Sequence, residues 1–396
     1  MTKPRRVAIV GAALSDTGRV DHHTNYYLHA QAVRRAVADA GLTKADVDGL
    51  GSNGLGTLQP IEVAEYLGLK PTWVNSTQVG GGTWEVMACH AADAIAMGHA
   101  DVIVLVYGST TRADLKRGVR RANLSYGNRG PIQFEVPYGH TLIAKYAMST
   151  RRHMYEYGTT MEQLAEVAVS ARYNAQFNPD AYYQEPITTA DVLSGRMIAD
   201  PFTKLQCCIR SDGGCAIVLA AEDRVPDCIT KPVWVLGHGH HVSHTTMSEW
   251  TDFTTGPAAT SGKLAFERAG IRPDEIDLAC LYDAFTFMEM CTIEDLGFCA
   301  KGEGGEFVEN GRIRLGGDLP VNPDGGGLSA CHPGMRGLFL LVEATRQLRG
   351  DFADGKATTY DGVPIPAERQ VPDAKLAAVS GTGGWFCSNG TLVLGS

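Results

Sequence analysis

The stretch that most limits what this chain can fold into is WVNSTQVGGGTWEVMACHAADAIAMGHADVIVLVYGST, residues 73–110. Residues 73–75 read as the end of a strand, 78–82 as a tight turn, 83–97 as an alanine-rich helix and 101–107 as a largely apolar strand. A helix with so little polar surface needs cover on every side. A strand apolar on both faces needs layers above and below it. Strand, turn, buried helix and strand in that order predict an α/β fold with a crowded centre. Gly80, Gly81 and Gly82 end the turn. Lacking side chains, they let backbone N–H groups approach a ligand at a helix N-terminus, or let the helix pack tightly on its neighbours. The residues alone leave both readings open.

A similar order of elements returns after residue 231: strand, helix, strand, glycine turn, helix and closing strands. In DLACLYDAFTFMEM, residues 277–290, the apolar run 278–281 ends at Tyr282 and Asp283 and opens into a helix. Open α/β sheets hold their ligands at such strand ends. In GGGLSACHPGMRG, residues 325–337, a glycine-rich turn delivers His332 to the start of a predicted helix over 332–347. This helix corresponds to 83–97 in the first part. A chain of 396 residues is long for one core and fits two like halves. The expected division is 1–230 and 231–396, with residues 111–205, rich in Arg, Tyr, Asn and Gln, laid over the first half as an insertion or lid. Residues 207–209 and 215–220 are expected to form two strands joined by the SDGG turn.

The formal net charge of -9 and the absence of a basic run argue against nucleic acid as a partner. The ten cysteines show no paired short spacing, so neither a zinc module nor a disulfide framework is expected. Reduced thiols point to the cytoplasm. The start, MTKPRRVAIVGAAL, is basic and then briefly apolar, and it runs straight into a patterned domain. A first strand over 7–13 fits it better than a signal peptide. No apolar stretch is long enough to span a bilayer. His238, His240, His241 and His244 follow one another on a strand and its loop. Alternate positions share a face while adjacent ones oppose, so they do not converge as metal ligands.

Six segments carry a family resemblance: AIVGAAL, NSTQVGGGT, CIRSDGGCAIVL, YDAFT, NPDGGGLSACHPGMRG and SGTGGWFCSNG. Together they resemble the thiolase superfamily, especially its sterol-carrier-protein type, over nearly the whole chain. The resemblance implies an α/β fold of five layers, αβαβα, in two similar halves. It also implies coenzyme A thioesters as substrates, and a homodimer. The departures are chemical. Gln78 stands where the family has its acyl-accepting cysteine, and Gly381 where it has its second, proton-shuttling cysteine. A primary amide is not a nucleophile near neutral pH, so an acyl-enzyme has no carrier. Tyr282 replaces the histidine of an HDCF pattern, whereas His332 keeps the histidine that helps form the family's oxyanion hole.

This combination resembles the thiolase-like aldolases of steroid side-chain degradation. That resemblance implies retro-aldol cleavage of a β-hydroxyacyl-coenzyme A to a ketone and a shorter acyl-coenzyme A. It implies no permanently bound cofactor. It also implies a separate OB-fold partner with a zinc ribbon in a heterotetramer, any zinc residing in that partner. Tyr282 is then expected to take the hydroxyl proton or return one to carbon, and His332 to donate to the enolate oxygen. Backbone N–H groups at Gly80, Gly81, Gly82, Gly381 and Gly383 are expected to line the cavity. Asp283 is expected to cap or brace, and His140 either to reach the pocket from the lid or to pack within it. Two other readings stand beside this one: thiolase-type acyl transfer through Cys89 or Cys387, and a non-catalytic subunit that binds lipid or acyl-coenzyme A.

Overall fold

The computed structural model describes residues 4–53, 58–119, 130–139 and 141–396. Eleven strands run in chain order as β1 (Val7–Leu14), β2 (Gly49–Ser52), β3 (Trp73–Asn75), β4 (Val102–Ser109), β5 (Met197–Ala199), β6 (Phe202–Thr203), β7 (Gly213–Ala221), β8 (Val233–Val242), β9 (Leu278–Leu281), β10 (Leu376–Gly383) and β11 (Ser388–Gly395). The α-helices are α1 (Asn25–Asp39), α2 (Gln59–Leu67), α3 (Thr83–Ala96), α4 (Thr111–Lys116), α5 (Leu142–Tyr157), α6 (Met161–Ala175), α7 (Thr189–Leu193), α8 (Ala258–Ala269), α9 (Thr286–Asp295), α10 (Gly304–Phe307) and α11 (Gly337–Arg349).

Nine strands form one sheet in the order β3-β2-β4-β7-β1-β8-β11-β10-β9, and β5 pairs with β6 apart from it. Strands up to β7 occupy one side of the sheet and those from β8 the other. The two sides meet where Ala8 and Ile9 of β1 face Trp234 and Val233 of β8. Alternation along the strands sets the layers. Ala8, Val10, Val104 and Val218 pack under α1 and α2. Ile9, Ile103, Leu105 and Ile217 face inward, onto the core that holds α3 and α11. Both α3 and α11 contact strands from both sides, and α8 covers β8 and β11. The order through the molecule is therefore αβαβα.

Helix α3 is buried along nearly its whole length, Trp84 and Met87 completely. Burying such a side chain stabilises by about 1.5–3 kcal/mol, so a central helix needs no polar face. The segment expected as an insertion or lid contains α5 and α6, whose first turns are capped by the Thr141 and Thr160 side chains. His140 and residues 120–129 lie outside the described residues. Two expectations need correction. Residues 207–209 do not pair with β7 as a hairpin. The Cys208 N–H donates to the Ala284 carbonyl at 2.8 Å and the Ile209 N–H to the Gly327 carbonyl at 2.9 Å, so this segment joins the strand-end loop to the glycine turn. Nor does His332 begin a helix. Residues Gly326–Ala330 form a short π-turn, and α11 starts only at Gly337. Pro333 and Gly334, the latter at φ +97°, keep the intervening chain out of helical conformation.

Candidate active site

Strand β9 ends at a fixed point. The Asn322 side chain accepts the Leu281 N–H and donates to the Leu281 carbonyl, both at 2.9 Å. The Tyr282 N–H continues the ladder onto the Ser380 carbonyl at 3.0 Å. The phenol is thereby aimed at the seam between α3 and α11. Its hydroxyl accepts the Arg336 N–H at 3.1 Å and lies 3.1 Å from Nε2 of His332. The two rings stand nearly perpendicular, at 89°. Tyr282 and His332, 50 residues apart in sequence, are one pair in space.

The turn that holds His332 is braced by Asp283. Its carboxylate accepts the Gly327 N–H at 2.8 Å and the Leu328 N–H at 3.1 Å. It also lies 3.5 Å from the Arg336 guanidinium, whose Nη2 donates to both carboxylate oxygens of Asp324 at 2.7 Å. Asp283 thus braces the backbone and does not touch the Tyr282 hydroxyl. The His332 N–H donates to Oγ of Ser211 at 2.9 Å. Ser211 and Arg336 went unrecognised in the sequence, although both lie inside the segments that carry the resemblance.

Electrostatics separate the pair. Burial holds the Tyr282 hydroxyl well above its usual pKa, against a smaller opposing effect of the Arg336 N–H. Burial, followed by the nearby Arg336 guanidinium, pushes His332 down to about 4, so its imidazole is neutral at pH 7. His332 lines a cavity of about 930 Å³, together with Phe285, Leu328 and the misread 207–210 segment. This is near the top of the usual range for small-molecule sites, roughly 300–1,000 Å³. Lid residues Leu142, Ile143, Tyr182, Tyr183 and Ile198 give it apolar walls, and Arg172, Arg196, Lys204 and Arg210 also border it.

The predicted glycines meet one another. A Cβ on Gly80 would lie 2.6 Å from the Gly384 nitrogen, one on Gly82 would strike the Gly381 carbonyl, and one on Gly383 the Val79 carbonyl. A Cβ on Gly81 would lie 2.5 Å from the Tyr282 hydroxyl oxygen. The two turns therefore interlock beneath the phenol, and none of the five is among the residues bordering the cavity. Gln78 is exposed, its carbonyl oxygen accepting from the Thr83 hydroxyl at 3.1 Å. Cys89 is fully buried with its thiol held well above the usual range, and Cys387 lies in the turn before β11 with its thiol pushed up to about 11. Among the described residues no group of three or more His, Cys, Asp or Glu side chains is placed to hold a metal, and no helix is long and apolar enough to cross a membrane.

Residues 239–396 match a family model described as thiolase C-terminal domain-like. Over 94% of this chain and 98% of the relative, the sequence is 35% identical to a 17-hydroxy-3-oxo-4-pregnene-20-carboxyl-CoA lyase of Mycobacterium tuberculosis. It is 33% identical to a steroid side-chain-cleaving aldolase of Thermomonospora curvata, over 91% of this chain and 96% of that one. An acetyl-CoA acetyltransferase of Methanothermobacter thermautotrophicus is 32% identical, over 96% and 97%. A solved Ltp2-ChsH2(DUF35) aldolase superposes with a TM-score of 0.85 at 30% identity, covering 100% of this chain and 99% of that one. The chain belongs to the thiolase superfamily, as a thiolase-like homologue of the steroid side-chain-cleaving aldolases.

Proposed function

We propose that this protein is a carbon–carbon lyase that cleaves a bulky, steroid-like β-hydroxyacyl-coenzyme A by a retro-aldol reaction, giving a ketone and a shorter acyl-coenzyme A. The observation that carries this reading is the Tyr282 hydroxyl, held between the Arg336 N–H and Nε2 of His332, the member of the pair that borders a large, apolar-walled cavity. The relatives named as a lyase and a side-chain-cleaving aldolase support it.

The pair resolves a difficulty with tyrosine as a base. Burial opposes a bare phenolate at Tyr282. In the tautomer protonated at Nδ1, Nε2 is the lone-pair nitrogen toward Tyr282. As the Tyr282 oxygen takes the substrate's hydroxyl proton, its own proton passes to Nε2, and no phenolate accumulates. The carbon–carbon bond breaks, its electrons move onto the thioester as an enolate, and the new imidazolium stabilises that charge. Reversal of the relay returns a proton to the enolate carbon. Gly80, Gly81, Gly82, Gly381 and Gly383, which do not border the cavity, hold the backbone under this pair. Arg172, Arg196, Lys204 and Arg210 take the coenzyme A phosphates.

Acyl transfer, the activity of the matched acetyltransferase, requires a thiolate. Cys207 and Cys208 border the cavity, but burial pushes both up to about 12. We place the enzyme in the cytoplasm, where its ten free thiols remain reduced. There it works as a homodimer with an OB-fold, zinc-ribbon partner, a reading supported by the superposed aldolase, whose name pairs Ltp2 with ChsH2(DUF35). The test is to supply a β-hydroxyacyl-coenzyme A with a tertiary β-hydroxyl, with and without such a partner, and to measure ketone. Release without free coenzyme A is expected; a strict requirement for added coenzyme A would mean thiolysis and overturn the reading.

A further inference from the structure

Glu85 is the most conspicuous group left unused by this chemistry. It sits in the first turn of α3 with no exposed surface, and neither carboxyl oxygen has a hydrogen-bond partner. Its surroundings are cleared for it. A Cβ on Gly337 of α11 or on Gly381 of β10 would collide with Oε2, and one on Gly390 of β11 would lie 2.7 Å from its Cβ. The groups that face it are uncharged: the Cys89 thiol on its own helix, the Cys215 thiol of β7 and the Tyr282 phenol after β9. The Arg336 guanidinium, just before α11, is taken up by Asp324 and Asp283.

Position ties this carboxyl to the candidate active site. Gly337 directly follows Arg336, whose N–H holds the Tyr282 hydroxyl. Gly81, four residues before Glu85, lies against that same hydroxyl and presents its carbonyl to Gly337 at 2.7 Å from the place of a Cβ. The Glu85 carboxyl therefore wedges between the two backbone segments that bracket Tyr282. An uncharged acid fits such a slot. A carboxylate with neither cation nor donor does not, and the slot must open to hydrate it.

We propose that Glu85 is a positioning residue: as a neutral carboxylic acid it holds α3, α11 and β10 in the arrangement that sets Tyr282 against His332, and loss of its proton undoes that arrangement and ends cleavage on the alkaline side. This rests on the lyase reading above. The titrations separate cleanly. Burial pushes Glu85 up to about 8, opposed only by its own backbone N–H, while His332 titrates at about 4 and Tyr282 far higher. A limb near 8 in the pH profile is therefore foreign to both members of the pair, and the Glu85 variants assign it.

The experiment is the pH dependence of kcat and KM for the assembled enzyme, as wild type, Glu85→Gln and Glu85→Leu. Above about pH 8, the wild-type kcat is expected to fall about tenfold per pH unit with KM little changed. Both neutral variants are expected to lose that limb. An alkaline limb unmoved in both overturns the proposal while leaving the lyase reading standing. Thermal unfolding of the chain judges Glu85 without any turnover. The acid's raised pKa means stability is lost as pH rises from the unfolded value, and the loss is complete above about 8. The wild-type Tm is thus expected to drop between about pH 6.5 and about pH 9, and less so in Glu85→Leu or Glu85→Gln. Superimposable Tm curves overturn the proposal, and absence of ketone from the wild type at every pH overturns the lyase reading alone.

Discussion

Tyr282 and His332 make opposite demands on the same 3.1 Å contact. One is kept protonated by burial, the other kept deprotonated, so the proton that the proposed relay moves between them is placed in advance. Tyr282→Phe removes the moving proton while retaining the ring. Turnover is expected to fall by about 10²–10⁴, with a near-native unfolding midpoint in urea; full activity would take Tyr282 out of the mechanism. His332 adds a pH test. Its folded pKa, about 4, lies below the ordinary histidine value, so the unfolded chain binds the extra proton first. The His332 contribution to stability, and activity with it, is expected to decline as pH falls from about 6.5 toward 4. These two residues were legible in the sequence because each closes a recognisable turn. Glu85 was not. In TWEVMACHAADAIA it reads as one polar position on a helix, and only tertiary packing shows that no water reaches it.

At the level of elements, the strand end, the π-turn and the start of α11 form one unit clamped by Asp283. The continuous apolar runs of β1, β4 and β9 and the alanine-rich run of α3 are strong local signals, and the structure follows them closely. Segment 207–210 could not be placed that way, because its backbone partners, Ala284 and Gly327, lie far away in sequence. The same holds for the start of α11, which waits until Arg336 has delivered its N–H to Tyr282. Asp283→Ala would orphan the N–H groups of Gly327 and Leu328 and strip one of two carboxylates from a fully buried guanidinium. Breaking such a buried arrangement costs about 3–5 kcal/mol. Urea unfolding is expected to register that loss. Any folded fraction is expected to turn over slowly, since His332 hangs on the turn that Asp283 braces.

For the whole molecule, a formal charge of -9 would repel a polyanionic thioester at long range. The cavity inverts that field locally. Arg172 is buried, held by Ser329 and the Glu185 carbonyl, while Arg196, Lys204 and Arg210 are exposed at the cavity. Among the described residues none of the four is paired with a carboxylate, in a chain where most other buried cations are. Unneutralised cations around a cavity focus attraction on an incoming anion within about 8–10 Å, the screening length at physiological salt. In the proposed reaction the exposed three act on encounter and binding. Lys204→Ala combined with Arg210→Ala is therefore expected to raise KM for the acyl-coenzyme A about tenfold and leave kcat nearly unchanged. The double variant is also expected to flatten the rise of KM with added salt, measured from low to physiological ionic strength. A fall in kcat with KM and salt dependence unmoved would place these cations in the chemistry instead, and would move the coenzyme A phosphates elsewhere on the surface.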